Sequence, residues 1–327
     1  MTLAVSSSGR AARVRQALFH GDKLTLDHPR YLRTLEAIAG TLFQEDREPR
    51  DATAAALGLD SPSRMSARIV TKESGVAAGL KEAQWLAARG GVEARAISHD
   101  GDALRPGDAL LVLEGAAAQL LGIERVCLNI LQRMCGIASA TRRWQEIVEA
   151  KSDSTFVAAT RKTPWGLLDK RAVHCGGGAT HRLGLGDAIL IKNNHLALLD
   201  GREETAVSMA LDRAWPRRAD AAFVEVEVRS LESARIAAVA FSQFAAQEAA
   251  PPCPCIIMLD NMTPAETARV VADLEANKLR QSALLESSGN IDERTIAAYA
   301  AAGVDAISSG ALTHSARALD LHQKLIE

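Results

Sequence analysis

The 327-residue chain carries 38 Lys and Arg against 40 Asp and Glu, a formal charge of −2, so it lacks the broad basic surface that general nucleic-acid binding requires. With 47% hydrophobic and 24% charged residues, its composition is that of a globular protein of one large or two medium domains. No apolar run is long enough to span a bilayer, MTLAVSSSGRAARVRQALFHGDKL lacks the apolar core of a signal peptide, and five cysteines without zinc-like paired spacing read as reduced thiols; a cytoplasmic protein without nucleic-acid or membrane partners is expected.

The first 25 or so residues are polar and are expected to be loosely held. Residues 28–45 place Leu32, Leu35, Ile38 and Leu42 at helical spacing. From 66 to 114, SARIVTKESGVAAGL and VEARAISHDGDALRPGDALLVLEG read as strands with Asp-Gly and Pro-Gly turns, and a mixed α/β domain follows. Residues 123–149 turn helical, and Gly136 is expected to divide them into two helices. Beyond lie six short apolar runs: TFVAATRK, AILIKNNH, FVEVEVR, CIIMLDN, ALLESSG and VDAISSG. Helix-like segments such as 265–277 and 293–302 separate most of them. Such alternation predicts a parallel sheet with right-handed crossovers, curled into an α/β barrel short of the usual eight strands. Chemistry in such barrels sits where strands end, which collects Arg161, Lys162, Lys192, Glu227, Asp260, Glu286, Ser288 and Gly310 onto one rim.

Residues 159–195 hold six Lys or Arg, three His and only two acids. Arg161 and Lys162 end one strand, Lys192 ends the next, and His181-Arg182 lies in the glycine-rich crossover between them. Arginine offers carboxylates a bidentate fork and lysine is a compact charge suited to phosphate, so converging cations point to a small polyanion. Lys170 and Arg171 instead fit a solvated basic face. Glu225 and Glu227 lie two apart and share one side of their strand, opposite Val224, Val226 and Val228. With Asp260, Glu227 suits a hydrated magnesium or ribose hydroxyls; buried ion pairs to the cations are the alternative. The loops Glu286-Ser287-Ser288-Gly289 and Ser308-Ser309-Gly310 can turn backbone N–H groups toward phosphate, or be simple tight turns. No Ser-His-Asp order, nucleophile elbow or Walker loop is present. The residues bind and orient charge rather than attack.

The stretches ERVCLNILQRMCGIASATRR (124–143), TRKTPWGL (160–167), GGGATHRLGLGDAILIKNNH (176–195), VEVEV (224–228), IMLDNM (257–262), LLESSGNI (284–291) and GVDAISSGALTHS (303–315) together resemble the quinolinate phosphoribosyltransferase family. The resemblance implies a type II phosphoribosyltransferase fold. Its α/β sandwich domain would take residues 1–130, and its incomplete, roughly six-stranded α/β barrel residues 131–314, with a C-terminal helix, 315–327, packed on the first domain. It implies transfer of phosphoribosyl from phosphoribosyl pyrophosphate to quinolinate with Mg²⁺, giving nicotinate mononucleotide, pyrophosphate and CO₂ for NAD synthesis, without a prosthetic group. Position by position, Arg161, His181 and Arg182 are similar to the family's quinolinate-binding residues, and Lys162 and Lys192 to those that hold phosphoribosyl pyrophosphate, with Lys192 near both substrates. Glu227 and Asp260 resemble the carboxylates facing the ribose and, directly or through water, the metal; Ser288, Gly289, Ser309 and Gly310 resemble the phosphate loops. Arg125 resembles an arginine that reaches into a neighbouring subunit's pocket, which implies a homodimer. Four departures stand out: Ala159 and Asn193 each replace an acid, Asn290 replaces a glycine, and EDREPRDAT (45–53) replaces a Gly-Asp. The alternatives are a transferase of the same fold with another acceptor, or a non-catalytic anion-binding protein.

Overall fold

A computed structural model describes residues 7–47, 51–59, 64–199, 202–247 and 253–326. The chain forms two compact units, each assembled from three segments: Met1–His20, Arg143–Arg161 and Gly178–Ala311 in one, and Gly21–Arg142, Lys162–Gly177 and Leu312–Glu327 in the other. These interleaved segments differ from the contiguous 1–130 and 131–314 that the sequence led us to expect.

In the second unit, the sandwich unit, the helices are α2 (Pro29–Arg47), α3 (Ala52–Leu57), α4 (Leu80–Arg89), most of α5 (Ala117–Glu149) and α6 (Leu167–Cys175). Strands β1 (Arg64–Thr71), β3 (Glu93–Ala96), β5 (Ala109–Ala116) and β12 (Leu321–Ile326) form an antiparallel sheet in the order β12-β1-β5-β3, and β2 (Gly75–Val76) pairs with β4 (Ala103–Leu104). The Asp-Gly and Pro-Gly turns are there, with Gly101 and Gly107 both at φ 95°.

Three expectations fail in this unit. The C-terminal segment is a strand, not a helix: Leu321–Ile326 pairs with β1 from Thr71↔Leu321 to Ser66↔Ile326. An open β1 edge offers a row of unpaired backbone groups, and six residues satisfy them better as a ladder than as an isolated short helix. Helix α5 runs unbroken through Gly136. A Cβ there would lie 2.1 Å from the Arg317 carbonyl oxygen, so the glycine serves a close approach of backbone rather than a break. Lys170 and Arg171 are not a solvated face. Lys170 is buried, and Arg171 pairs with Asp100 at 3.1 Å. Their helix is pinned within the unit by Arg133, whose Nε and Nη2 each donate to Asp169 at 2.8 Å.

The first unit is the barrel. Strands β6 (Phe156–Ala158), β7 (Ile189–Ile191), β8 (Val224–Val228), β9 (Cys255–Asp260), β10 (Leu284–Ser288) and β11 (Ala306–Ser308) form one parallel sheet in the order β6-β11-β10-β9-β8-β7. All six runs picked out in the sequence are these strands. Helices α7 (Asn193–Leu196), α8 (Glu203–Ala214), α9 (Leu231–Ala246), α10 (Pro264–Ala276) and α11 (Ile296–Ala301) lie between successive strands. The two strands consecutive in sequence, β6 and β7, stand at opposite edges, and Ala179 bridges Ala158 on the outer side of β6.

The N-terminal segment is not loose over its described part. Helix α1 (Ser7–Leu18) buries Val14, Ala17 and Leu18 against Phe156, Phe223, Ile256, Leu284 and Ala306. Arg10 adds an ion pair to Asp305 at 3.3 Å. Polar composition hid three apolar positions at helical spacing. That cluster is the floor of the barrel, and strand alternation fixes what stands above it: Glu225, Met258, Glu286 and Ser308 two residues along, then Glu227, Asp260 and Ser288. The interior therefore passes from apolar to charged along the strands.

Candidate active site

The rim is built around β8. VEVEV turns its valines outward and its glutamates inward, and all five residues are buried. Glu227 Oε1 accepts from Lys192 Nζ at 3.0 Å, and Oε2 accepts the Asn193 backbone N–H at 3.1 Å. The Asn193 amide donates onward to Asp260 Oδ2 at 2.8 Å. Asp260 also accepts from Arg229 Nε at 3.2 Å and from Asn261 Nδ2 at 3.0 Å. The turn after β7 is set by His195, whose Nδ1 accepts the Lys192 N–H at 2.9 Å. Asn193 thus joins the two carboxylates as a donor where a third acid would have repelled them. Arg229 and Asn261 were missed in the sequence; Arg229 was legible as the cation directly after VEVEV.

At the ends of β9 and β10 the backbone is left-handed at Asn261, Gly289 and Asn290, with φ of 56°, 100° and 53°. Asparagine tolerates this region, which explains Asn290, and its Nδ2 donates to Asn261 Oδ1 at 3.0 Å. A Cβ on Gly289 would sit 2.4 Å from Asn261 Oδ1. The Ser308 hydroxyl donates to Ser288 Oγ at 2.9 Å. The Ser309 hydroxyl is committed to its own loop: it donates to Ile291 O at 2.7 Å and accepts Ala311 N–H at 3.2 Å. Gly310 follows it. Ala159, where an acid was expected, is buried, and its N–H donates to Ala179 O at 2.8 Å.

The cations divide. Arg182 is 5% exposed, yet among the described residues no acceptor meets its guanidinium. Its pKa is lowered first by burial and then by the charge of Arg161, while the charges of Glu225, Asp187 and Glu227 oppose the shift. Arg161 itself is exposed. Lys162, next in the chain, belongs to the sandwich unit, where its carbonyl accepts the Thr313 hydroxyl at 2.8 Å. Arg125 is exposed on α5 of that same unit.

His181 lies beneath the rim, its ring between the Arg182 N–H and two acids. Nδ1 accepts the Arg182 N–H at 2.9 Å, and Nε2 lies 3.2 Å from Glu225 Oε2 and 3.3 Å from Glu286 Oε2. The carboxylates favour an imidazolium; the Arg182 N–H favours a neutral ring. The N–H at Nδ1 directs a ring proton to Nε2, toward the two acids; burial lowers the pKa of the ring, and the Glu286 and Glu225 charges outweigh it and push the imidazole up to about 9. Burial, then the Glu286 charge, pushes the Glu225 carboxyl up to about 7. Glu286, expected on the rim, is a fully buried member of this lower layer. The five cysteines form no disulfides, and burial pushes the Cys127 thiol up to about 12, which leaves it inert.

The chain matches the family model described as quinolinate phosphoribosyl transferase, C-terminal domain, over residues 137–324, and the N-terminal domain model over 51–135. It belongs to the quinolinate phosphoribosyl transferase family. A relative from Methanothermobacter thermautotrophicus, "probable nicotinate-nucleotide pyrophosphorylase [carboxylating]", is 38% identical over 273 residues, covering 83% of this chain and 91% of the relative. The Mycobacterium leprae nicotinate-nucleotide pyrophosphorylase [carboxylating] is 36% identical over 296 residues, covering 88% and 95%. Among solved structures, NadC from Streptococcus pyogenes superposes with a TM-score of 0.75 at 35% identity, covering 91% of this chain and 96% of that one. These likenesses make the chain an enzyme of the quinolinate phosphoribosyl transferase family with the α/β fold expected of it. Helix α1, which floors the barrel, lies outside the residues that the two domain models match.

Proposed function

We propose that the chain transfers the phosphoribosyl group of phosphoribosyl pyrophosphate to quinolinate and releases CO₂, yielding nicotinate mononucleotide and pyrophosphate for NAD synthesis. One observation carries this reading: Arg182 is buried, no acceptor among the described residues meets its guanidinium, and the charge of Arg161 acts on it, while Glu227 and Asp260 already have their own donors. A buried guanidinium beside a second one calls for an anion with more than one negative group, and a pyridine dicarboxylate supplies it.

The pyridine nitrogen attacks C1 of the ribose as the bond to pyrophosphate breaks. Lys162 and Lys192 hold the departing phosphates, and Glu227 and Asp260 steady the positive charge that builds on the sugar. Preorganised groups of this kind are worth about 3 kcal/mol each. Once alkylated, the ring nitrogen is cationic and draws in the electron pair of the adjacent C–CO₂ bond; CO₂ departs and the ring carbon takes up a proton. Ser288, Gly289 and Gly310 turn loop backbone toward phosphate, while Ser309 holds its loop in shape.

Glu227 and Asp260 keep lone pairs beyond those their N–H partners use. Two carboxylates with further room fit magnesium, which binds through one or two carboxylates and substrate phosphates rather than in a protein cage. Bound there, magnesium supplies charge neutralisation to the leaving pyrophosphate. We assign the working protein as a cytoplasmic homodimer whose Arg125 completes the partner's pocket. Among the described residues no helix is long and apolar enough to cross a membrane.

The test is incubation with Mg²⁺, phosphoribosyl pyrophosphate and carboxyl-labelled quinolinate, following CO₂ release, with nicotinate as the competing acceptor. Release with quinolinate supports the reading. Nucleotide formed from nicotinate alone would make the chain a transferase with a different acceptor, and binding without turnover would make it an anion-binding protein.

A further inference from the structure

Glu225, His181 and Glu286 sit one layer below the rim in the barrel unit, and nothing above uses them. Both carboxylates are fully buried, and among the described residues neither has a hydrogen-bond partner; His181 Nε2 lies at ion-pair distance from both, 3.2 and 3.3 Å away. Their placement follows from the strands, because each stands two residues below a rim residue, Glu227 or Ser288. An arrangement of this kind is a poor stabiliser: apolar residues of similar volume serve a core as well or better. Its presence calls for another reason.

That reason lies in the main chain at 181. His181 adopts φ 54°, a left-handed conformation that a residue with a Cβ keeps only when its surroundings impose it. The surroundings do so from every side. The Phe223 ring meets the imidazole edge-on with centroids 5.1 Å apart. The His181 N–H donates to Leu18 O at 2.9 Å, so the end of α1 fixes the loop from below. Nδ1 takes the N–H of the next residue, Arg182, at 2.9 Å. With Nε2 facing the two acids and Nδ1 taking the Arg182 N–H, the ring ties the start of Arg182 to the acid pair.

We propose that Glu225, His181 and Glu286 form a buried positioning cluster that fixes the backbone from which Arg182 reaches the acceptor's carboxylate. This rests on the reading of Arg182 as an acceptor-binding residue. None of the three touches a reacting atom. The three ligand-type atoms also lie close enough for a metal ion, but coordination through Nε2 would put the ring proton on Nδ1, where the Arg182 N–H already points. The cluster is therefore metal-free. Glutamine keeps the size and shape of Glu286 and a carbonyl oxygen that accepts from Nε2, so it is the conservative substitute, whereas leucine removes that acceptor.

The experiment compares Glu286→Leu, Glu286→Gln and Arg182→Met in the full-length protein with Mg²⁺, phosphoribosyl pyrophosphate and quinolinate. A misplacement of about 1 Å lowers efficiency on the order of 10²-fold, so Glu286→Leu is expected to raise the quinolinate KM by at least about tenfold while the phosphoribosyl pyrophosphate KM stays within about twofold. Glu286→Gln is expected to retain the parent quinolinate KM. If Glu286→Leu fails to fold, His181→Asn replaces it: asparagine accepts the left-handed backbone without reaching both acids, and the same KM split is expected. Equal shifts in both KM values, a Gln variant as impaired as the Leu variant, or an equivalent of tightly held metal that Glu286→Leu loses would each overturn the cluster. An unchanged quinolinate KM in Arg182→Met would overturn the acceptor reading as well, which separates the two failures.

Discussion

Arg182→Met sets affinity against stability, and the structure predicts opposite signs for the two. The guanidinium is withdrawn from water, 5% exposed, with no acceptor among the described residues and with Arg161 near enough to depress its pKa. A buried charge lacking a partner costs several kcal/mol in the limit. Because none of its nitrogens is sealed from solvent without a partner, we take about 1–2 kcal/mol as the part that Met recovers while keeping much of the aliphatic stem. For a unit of this size that is roughly 2–8 °C in Tm. Charge-assisted bonds to a carboxylate are worth about 1.5–3 kcal/mol each, so losing a bidentate pair should weaken quinolinate binding by about 3 kcal/mol, roughly 150-fold. Calorimetric melting without ligand reads the first effect, and the quinolinate KM at saturating phosphoribosyl pyrophosphate reads the second. A variant that melts lower than the parent and keeps its KM would refute the reasoning, because Arg182 would then be a structural residue satisfied in solution.

Gly289→Ala places a Cβ 2.4 Å from Asn261 Oδ1 at a φ of 100°; strain of about 1–3 kcal/mol should appear as a raised KM for phosphoribosyl pyrophosphate with quinolinate nearly unaffected. Gly136→Ala, although it places the better helix former, should lower the urea midpoint by an amount equivalent to about 1–3 kcal/mol, because the new methyl meets the Arg317 carbonyl at 2.1 Å. Glu82 is held above the ordinary carboxylate range, chiefly by burial, and accepts the Tyr31 hydroxyl at 2.5 Å. Its folded pKa exceeds the unfolded value of about 4.3, so its contribution is complete below that pH and is lost as pH rises through the folded value. Urea titrations of Glu82→Gln against the parent should show the variant gaining relative stability from pH 4.5 to pH 8, and a flat difference would count against the buried carboxyl. Arg125→Ala mixed with Lys162→Ala should recover part of the activity if two chains build each pocket; no recovery despite demonstrated subunit exchange would assign Arg125 to its own chain.

The strands of the barrel were legible because each is a short apolar run closed by polar residues, and VEVEV even disclosed which side its glutamates take. Period-two alternation is a local property, readable without knowing neighbours. What escaped depends on residues far apart in sequence. Gly136 looks like a helix breaker until Arg317, 181 positions later, is seen against it. The segment 321–326 pairs with a β1 edge some 250 residues away, and nothing within it announces that. Lys170 reads as solvent-facing because lysine usually is. The acids Glu225 and Glu286 were noticed as inward-facing or strand-end residues, but that His181, given to the acceptor site by the resemblance, faces both of them is visible only once the barrel is folded.

The placement of Arg182 follows from a gap in the fold. A closed barrel would pair its first strand with its last; here β6 and β7, neighbours in sequence, are the two sheet edges. The connection between them supplies the missing contact. Ala179 N–H donates to Val157 O at 2.8 Å and Ala159 N–H returns to Ala179 O at 2.8 Å, which gives the β6 edge a partner of bridge length only. The chain then turns inward. Thr180 Oγ1 donates to Leu18 O at 3.1 Å and accepts the His20 N–H at 3.0 Å, so the buried carbonyl end of α1 is satisfied by the segment that runs beside β6. A strand at this position would point alternate side chains to opposite faces; a plug with one left-handed residue sends His181 into the interior and leaves Arg182 beside Arg161. An incomplete barrel therefore gains what a complete one lacks, a place where irregular backbone can set a buried cation without disturbing a ladder.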